Sequence, residues 1–577
     1  MSDTIITSGS DTVPENVTMP KAGLFAGRQG RKLREALLAY VFLLPAFLII
    51  FTFGIFPLAF SVYQSTLKGL NKIVGTYDGI GNYVKAVGDL AYILGFWIAF
   101  FCFFWAIRAL VLVWREAKER ADKPWLLLIP AGIMTSGIVL FVTFFFRFLP
   151  EVLLIANAIR TAKQGGAQES TSQLFRQYLY EIFFQTQMQQ AFWTSIIVLL
   201  VSAVATYLVF RAIPRSPRSS HYFGSLLQAA LLLVGGTALL WFVWSSVQLA
   251  YTQALENGEE LQIWAQTVTI SAGFVLLGLS WLLWRSANHR SSNLSMAWRL
   301  FAAMVLIAGA WLLIAELPLA AAGGDKDWFQ GLLNTFYYSA GSIPFQFAIS
   351  LMLATFLFQN IRGKTAFRMI YFLPYITPAV GAAAVFRILF SGRVDAPINR
   401  IITALGMQPL GWLNEPNGIF QMIVGSNVDL PAWAVGPSLS LVVIIIFGIW
   451  TFVGFNTVIF LAGLGAIPSE LYEAASIDGG SRWAQFRHIT LPLLSPTIYF
   501  LTLYAVIGTF KAFTHIFVLR TPAALGTADT ASVVIFDAIK RDTRYGYAAA
   551  LAVLLLIIVL LLTAVNNRIA SKRVFYG

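Results

Sequence analysis

The chain has 577 residues, of which 58% are hydrophobic and only 12% are charged. Because about a quarter of the residues in a soluble globular domain are charged, this composition excludes a soluble globule and predicts an integral membrane protein. The net charge of +13 comes from basic residues scattered between apolar runs, a pattern that indicates membrane topology, and no nucleic-acid partner is expected.

A membrane-spanning helix needs about 20 mostly apolar residues, and twelve segments meet that length. In chain order they are residues 37–63, 90–113, 125–147, 191–210, 225–250, 267–284, 299–320, 333–358, 367–391, 438–464, 496–516 and 546–565. The sequence therefore predicts an all-α integral membrane protein with about twelve transmembrane helices, surrounded by membrane lipid.

The distribution of basic residues predicts the orientation. The short segments 114–124, 211–221 and 285–299 together contain ten Lys and Arg, whereas 251–266 contains none and carries Glu256, Glu259 and Glu260. Because loops rich in Lys and Arg stay in the cytoplasm, we expect both termini there, with residues 1–36 as a cytoplasmic tail.

One short motif suggests nucleotide binding. Gly363-Lys364-Thr365 resembles the end of a phosphate-binding loop, but Phe358 occupies the position of the required earlier glycine. We therefore expect that this chain is not an enzyme and binds no cofactor.

A polar segment, residues 465–495, separates the apolar segments 438–464 and 496–516. Pro468 suits a first helical turn, Ser469 suits a cap, and Gly479-Gly480 suits a left-handed helix end. Ser481 can cap a second short helix, which Pro492 ends. The sequence predicts a helix-turn-helix outside the membrane, and an ordinary amphipathic loop is the alternative.

Within this segment the order is Glu-Ala-Ala, three residues, Gly, nine residues, Ile, one residue, Leu-Pro. The residues are Glu473, Ala474, Ala475, Gly479, Ile489, Leu491 and Pro492. This order is similar to the coupling-loop signature of permease subunits of binding-protein-dependent ABC importers. The flanking sequences 463–468 and 493–496 resemble the maltose-type, carbohydrate-importing branch.

The resemblance divides the chain unevenly. Residues 37–89 resemble the first core transmembrane helix and its exterior segment, and residues 327–577 resemble the other five core helices with the cytoplasmic coupling loop 465–495. Residues 90–326 resemble nothing familiar, and their six apolar runs predict a membrane-embedded insertion. The expected fold is thus six core helices and about six inserted ones.

The resemblance also implies the function and the partners. The chain would be the permease of an ATP-driven importer in the bacterial plasma (inner) membrane, carrying an oligosaccharide or glycoside. Its partners would be an exterior sugar-binding protein, a second homologous permease and two ATPase subunits. ATP and Mg would bind to those ATPase subunits.

In the maltose-type family the spans on either side of the coupling loop hold the sugar. Carried over by position, the resemblance implies Gly448, Thr451, Phe452 and Phe455 in the earlier span, and Ala505, Gly508, Thr509 and Ala512 in the later one. Asn456 is a further polar candidate, and Lys511 is a charge at span depth, which indicates either function or a snorkelling side chain. Packing between helices is the alternative role for the Thr and Phe residues.

Two other functions remain open. A secondary transporter also fits twelve spans, but it typically has two similar halves and midplane charges. A membrane-embedded transferase needs acidic or histidine constellations at the membrane face, and the short loops contain few carboxylates.

Overall fold

The computed structural model describes residues 28–69, 75–120, 122–212, 219–258, 260–287, 293–359, 362–425, 428, 430–431 and 434–573. Most of the expected tail 1–36, and Glu259, lie outside these ranges. Contacts divide the chain into two units, residues 1–61 and residues 62–577.

The first unit contains a continuous helix. It is formed by α1 (Arg28–Ile50), a π-helical segment (Phe51–Ile55) and α2 (Phe56–Ser65), whose last turn belongs to the second unit. Most of its large apolar side chains are exposed, including Phe42 and Phe53. Such a surface suits a helix surrounded by lipid or by other apolar helices.

The next helices form the region predicted as an insertion. They are α3 (Gly81–Val87), α4 (Leu90–Arg120), α5 (Leu128–Gln164), α6 (Thr171–Phe183), α7 (Thr186–Ala212), α8 (Ser219–Asn257), α9 (Ile263–Ala287) and α10 (Asn293–Ala321). The long helices pair as α4 with α8, α5 with α7, and α9 with α10. Small residues allow close approach: a Cβ atom at Gly309 would lie 3.0 Å from the carbonyl oxygen of Gly273.

A short antiparallel hairpin precedes α3. It consists of β1 (Leu67–Lys68) and β2 (Thr76–Tyr77), with Leu67 opposite Tyr77. The side chain of Asn82 donates hydrogen bonds to the carbonyls of Ser65 and Leu67, at 2.9 and 2.8 Å. These bonds fix the start of α3 against the hairpin.

The C-terminal region contains thirteen further helices within the described residues. They are α11 (Lys326–Phe358), α12 (Lys364–Ile376), α13 (Ala379–Leu389), α14 (Pro397–Ala404), α15 (Ile419–Val424), α16 (Leu439–Gly465), α17 (Ser469–Ile477), α18 (Arg482–Gln485), α19 (Leu491–Leu493), α20 (Ser495–Phe510), α21 (Thr514–Leu519), α22 (Ala531–Lys540) and α23 (Tyr545–Arg573). A π-helical segment, Phe486–Thr490, joins α18 to α19. Short 3-10 turns lie at Pro124–Leu127, Trp412–Asn414 and Pro522–Ala524.

All twelve predicted apolar segments lie largely in helices. Among the described residues, ten helices are long and apolar enough to cross a membrane, and the number rises to twelve if two bent pairs each count as one span. The prediction of an all-α membrane protein is therefore confirmed. The division into six core helices and six inserted helices stays a prediction.

Two predicted spans are not straight. Segment 367–391 bends by 93° between α12 and α13, where Pro378 restricts Thr377 to an extended conformation with ψ 134°. Segment 496–516 was predicted as one helix, and this is wrong at its end: α20 stops at Phe510, and Phe513 has φ −137° and ψ −61°, outside the α-helical region.

The core helices define two ends of the bundle. At the loop end, which carries residues 465–495, buried Leu464 and Leu494 pack with Ala354 and Phe460. At the opposite end, called the far end, Asn334 of α11 donates a hydrogen bond to the carbonyl of Asp529, which precedes α22, at 2.8 Å. Thus α16 runs toward the loop end, and α20 runs away from it.

Candidate functional site

The first half of the loop is α17. The helix begins at Ser469, and Pro468 occupies the cap position, where its side chain accepts no hydrogen bond. The expectation that Ser469 caps the helix is wrong, because Ser469 is already its first helical residue. The predicted ending is confirmed: Gly479 has φ +78°, and the amide of Gly480 donates to the carbonyl of Ala475 at 2.7 Å.

The second half runs from Ser481 to Leu493. Ser481 is the predicted cap, since its hydroxyl accepts a hydrogen bond from the amide of Ala484 at 3.2 Å. Pro492 was predicted to end the helix, but helical structure continues to Leu493 and then bends by 61° into α20. Pro492 directly follows the π-helical segment, as the second residue of α19.

Polar side chains that the motif does not include hold the two halves together. The hydroxyls of Tyr472 and Thr490 lie 3.0 Å apart, and the Gln485 amide donates to Ser476 at 2.9 Å and to the carbonyl of Gly480 at 3.2 Å. Sequence reasoning missed these residues because the side-chain pairs Tyr472–Thr490 and Ser476–Gln485 are eighteen and nine positions apart and follow no helical spacing. The loop is therefore a single braced unit.

The tip of this unit is exposed and partly apolar. Side-chain exposure reaches 87% at Ile477 and 67% at Trp483, and Leu471 is also exposed. Glu473 and Ala474 are exposed beside them, and Ala475 is half-buried. Large apolar side chains next to a carboxylate, at the end of a polar loop, are typical of a protein docking surface.

The remaining residues of the motif differ in their exposure to solvent. Ile489 and Leu491 are half-buried, whereas Gly479 and Pro492 are exposed. Ile489 and Leu491 are therefore less exposed than Glu473 and Ala474.

Three of the predicted substrate residues lie against α11. Gly448 is buried, and a Cβ atom there would lie 2.6 Å from the hydroxyl of Tyr338. The buried amide of Asn456 donates to Gln346 at 3.4 Å, and Gln346 in turn donates to the carbonyl of Gly448 at 3.3 Å. These contacts belong to the interface between α16 and α11.

Thr509 makes the equivalent contact from α20. Its hydroxyl donates to that of Ser339 at 3.0 Å, and both residues are buried. Ser350, further along α11, donates to the carbonyl of Val453 at 2.9 Å. A polar seam thus runs along the buried face of α11, which sequence patterning could have found from its Ser and Gln at three- and four-residue spacing.

The other predicted substrate residues are more accessible. Gly508 and Lys511 are exposed, and Phe452 and Phe455 are half-buried against Tyr375 of α12, at centroid distances of 6.0 and 4.8 Å. Thr451, Ala505 and Ala512 are half-buried, and the hydroxyl of Thr451 donates to the carbonyl of Phe447 at 2.9 Å. The structure therefore separates the predicted set into an open face and a packed one.

The far end contains a charged cavity of about 540 Å³. Arg520 crosses one wall, donating to both carboxylate oxygens of Asp537 at 2.8 and 3.0 Å and to Asp529 at 3.5 Å. Burial raises the pKa of Asp529 above its ordinary value, although Arg520 opposes the shift. Sequence reasoning did not identify this cluster, whose charges come from α22 itself and from the turns before it.

An apolar helical bundle with a braced polar loop at one end defines a multi-pass membrane protein. The family described as "Binding-protein-dependent transport system inner membrane component" matches residues 321–574. The arabinooligosaccharides transport permease AraP of Bacillus subtilis (strain 168) is 30% identical over 236 residues, 40% of this chain and 67% of AraP.

Another relative and a solved structure are also similar to the chain. The trehalose/maltose transport permease MalF of Thermococcus litoralis is 28% identical over 248 residues, 43% of this chain and 76% of MalF. A crystal structure of a bacterial ABC transporter involved in the import of the acidic polysaccharide alginate is 22% identical, with a TM-score of 0.38, and the match covers 47% of this chain and 95% of that one.

The chain belongs to the binding-protein-dependent sugar permease family of ABC transporters. The expected maltose-type carbohydrate resemblance is confirmed, as is the expectation of a transport subunit that is not an enzyme. The chain is a multi-pass inner-membrane protein of a binding-protein-dependent transport family.

Proposed function

We propose that the chain is the permease subunit of an importer that takes up an oligosaccharide or glycoside released by an exterior binding protein. ATP hydrolysis on two separate ATPase subunits, which bind ATP and Mg, drives the transport, and a second homologous permease completes the path. The sugars named for AraP and MalF support this substrate class.

The exposure of Ile477 at the tip of the braced loop is the observation that carries the proposal. A soluble partner that covers Ile477 and Trp483 removes apolar surface from water, and Glu473 offers a carboxylate to a basic or backbone donor beside it. Because Tyr472 and Thr490 brace the loop, a push at its tip moves α16 and α20 as a rigid body. The segment Glu473–Pro492 is the coupling element in this proposal.

The same proposal assigns each end of the bundle to a side of the membrane and divides the chain into core and inserted helices. The loop end and both termini are cytoplasmic, because the ATPases act there, and the far end with its charged cavity is exterior. Residues 37–89 and 327–577 supply the six core helices. The six long helices of 90–326 form a lipid-facing layer, as exposed Trp241 and Trp311 suggest.

The substrate region lies between α16 and α20 at the open face. Phe452, Phe455, Gly508 and Lys511 are accessible enough to reach a sugar, and Thr451 and Ala512 border them. The buried Gly448, Asn456 and Thr509 support this wall from behind.

Co-purification tests the proposal. A tag on this chain, in cells that express its complete transport system, is expected to recover an ATPase and a second permease. Ala475→Trp is expected to abolish sugar uptake and to prevent recovery of the ATPase. The second permease is still expected to be recovered with this variant. Recovery of the chain without any ATPase would contradict the proposal.

A further inference from the structure

Two long helices of the inserted region, α4 and α9, touch near the ends at which they begin. Ile93 and Ile270 share a buried cluster, and Nε1 of Trp97 donates a hydrogen bond to the hydroxyl of Ser271 at 3.0 Å. The ring of Trp97 also meets that of Phe274, at a centroid distance of 6.1 Å. The contacts follow the same order along both helices, so α4 and α9 run in the same direction.

The face of α4 that packs on α9 is exposed further along the helix. Arg108 and Arg115 follow Trp97 by eleven and eighteen residues, which are about three and five helical turns, so the three side chains share one face. Trp97 is half-buried against α9. Phe104, Arg108 and Arg115 are exposed. Within the described chain, α9 therefore covers the first part of this face and leaves the rest open.

The matching face of α9 changes in the same way. Trp281 follows buried Ile270 by eleven residues, or about three helical turns. Arg285 follows Phe274 by the same number, and both Trp281 and Arg285 are exposed. The two faces therefore line a cleft, which is closed where α4 and α9 begin and open where they end.

Each wall of this cleft carries an arginine over a tryptophan ring. The guanidinium carbon of Arg108 lies 4.8 Å from the ring centroid of Trp105, and that of Arg285 lies 5.6 Å from the ring centroid of Trp281. A cation–π contact holds a guanidinium group in place while its N–H donors remain available. Glu119 lies further along α4, and among the described residues no carboxylate lies within ion-pair distance of Arg108 or Arg285. Both arginines thus present positive charge to the cleft.

The two arginines lie at the depth of lipid headgroups. At about 1.5 Å of rise per residue, Arg108 and Arg285 are roughly 16 and 21 Å along their helices from the contact at Trp97, which is itself about 10 Å from the start of α4. They therefore lie at the opposite edge of a hydrocarbon layer about 30 Å thick. The basic segments 114–124 and 285–299 lie at this end of α4 and α9, so the positive-inside rule places it in the cytoplasmic leaflet.

This combination suits one kind of ligand. Guanidinium groups donate hydrogen bonds to phosphate oxygens, and the cytoplasmic leaflet is the one that carries anionic lipids. We propose that the cleft binds one anionic phospholipid, with its phosphate on Arg108 and Arg285 and its acyl chains along exposed Phe101 and Phe104. Arg115 adds positive charge beside the headgroup. The inference goes beyond the proposed function, because the site lies in the inserted region and away from the loop 465–495.

Native mass spectrometry tests the site, on the chain purified by its tag with the subunits that accompany it. The probes are palmitoyl-oleoyl phosphatidylglycerol and the zwitterionic phosphatidylcholine with the same acyl chains. We expect one phosphatidylglycerol to bind roughly tenfold more tightly than phosphatidylcholine, as the attraction of two arginines to an anionic lipid suggests. The test does not depend on recovery of an ATPase, so the lipid site and the proposed function can fail separately.

Charge-matched variants locate the binding. Arg108→Gln with Arg285→Gln is expected to remove the preference for phosphatidylglycerol, whereas Arg108→Lys with Arg285→Lys keeps most of it because the charges remain. Arg160→Gln with Arg176→Gln is the matched control, since it removes two exposed arginines from α5 and α6. Equal binding of phosphatidylglycerol by the two glutamine variants would overturn the inference. Equal binding of the two lipids by the unsubstituted chain would also overturn it, because the cleft would then not recognise charge.

A photoreactive benzoyl-phenylalanine at position 104 tests what occupies the cleft in a membrane, with every arginine in place. The chain and its accompanying subunits are reconstituted in vesicles with equal amounts of the two lipids. We expect lipid adducts that are richer in phosphatidylglycerol than those from the same probe at position 307. Ile307 is exposed on α10, two residues before Gly309 and so on the face of α10 opposite to α9. Protein adducts at position 104, or the same share of phosphatidylglycerol at both positions, would overturn the inference.

Discussion

Gly454 of α16 lies directly against the carbonyl of Tyr371 in α12. A Cβ atom at position 454 would overlap that carbonyl oxygen and press on the backbone of Phe372. Only glycine lets the two helices cross so closely. The crossing lies one residue before Phe455 and four residues before Tyr375, so it sets the position of both rings.

Gly454→Ala is expected to push α12 away from α16. The overlap involves backbone, which yields less than a side chain, so we expect a loss of roughly 1–3 kcal/mol in the free energy of unfolding and a lower thermal midpoint in detergent. Gly465→Ala is the matched control, because a Cβ atom at the end of the same helix meets nothing within 4 Å in the described chain. An equal midpoint for the two variants would contradict the close crossing.

Gly479 gives a prediction about backbone conformation alone. Its φ of +78° is unfavourable for residues with a Cβ atom, and no described atom would meet a Cβ there within 4 Å. Gly479→Asn, which tolerates this conformation, is expected to keep most of the sugar uptake, and Gly479→Val to lose most of it. Uptake is the measurement, and similar uptake by both variants would show that the left-handed turn does not matter.

The loop tip gives a prediction about partner binding. Ile477→Asp places a charge in the proposed ATPase contact without disturbing the fold, because Ile477 is 87% exposed. We expect recovery of the ATPase to fall more than tenfold, while the thermal midpoint of this chain is unchanged. Ile423→Asp is the matched control, because Ile423 is also highly exposed, at 78%. It lies on α15, in the segment that connects the far ends of α13 and α16. If the two variants recover equal amounts of ATPase, Ile477 is not in the contact.

Lys511 gives a prediction about the substrate. It is exposed at the far end of α20, three residues after exposed Gly508. If its ammonium group donates a hydrogen bond to a sugar hydroxyl, Lys511→Met raises KM by about tenfold, as expected for a hydrogen bond to a charged group. Lys540→Met, an exposed substitution at the end of α22, is the control. An unchanged KM in Lys511→Met would mean that the side chain only reaches the headgroups.

Much of the fold follows from apolar length alone, because a helix that crosses a bilayer must be long and uncharged. The bend at Thr377-Pro378 and the early end of α20 were not predicted, since hydrophobicity does not report where a backbone turns inside an apolar run. Gly479 and Ser481 were predicted because caps depend on local chemistry. Tyr375 was missed because its contacts depend on how α12 packs on α16.

The substrate residues show a different limit. The resemblance placed Gly448 and Thr509 with Gly508, and Asn456 was a further polar candidate, but helical packing turns Gly448, Asn456 and Thr509 toward α11. The position of a residue in the sequence identifies the helix that carries it, whereas its contacts depend on how the helices pack.

In the proposed complex, the loop tip touches an ATP-hydrolysing partner. A photoreactive benzoyl-phenylalanine at position 477, in membranes that contain the assembled transporter, tests it directly when the cross-linked products are identified by mass spectrometry. We expect an adduct between this chain and an ATPase subunit from position 477, and no such adduct from the same probe at position 423. An ATPase adduct from position 423, or none from position 477, would contradict it.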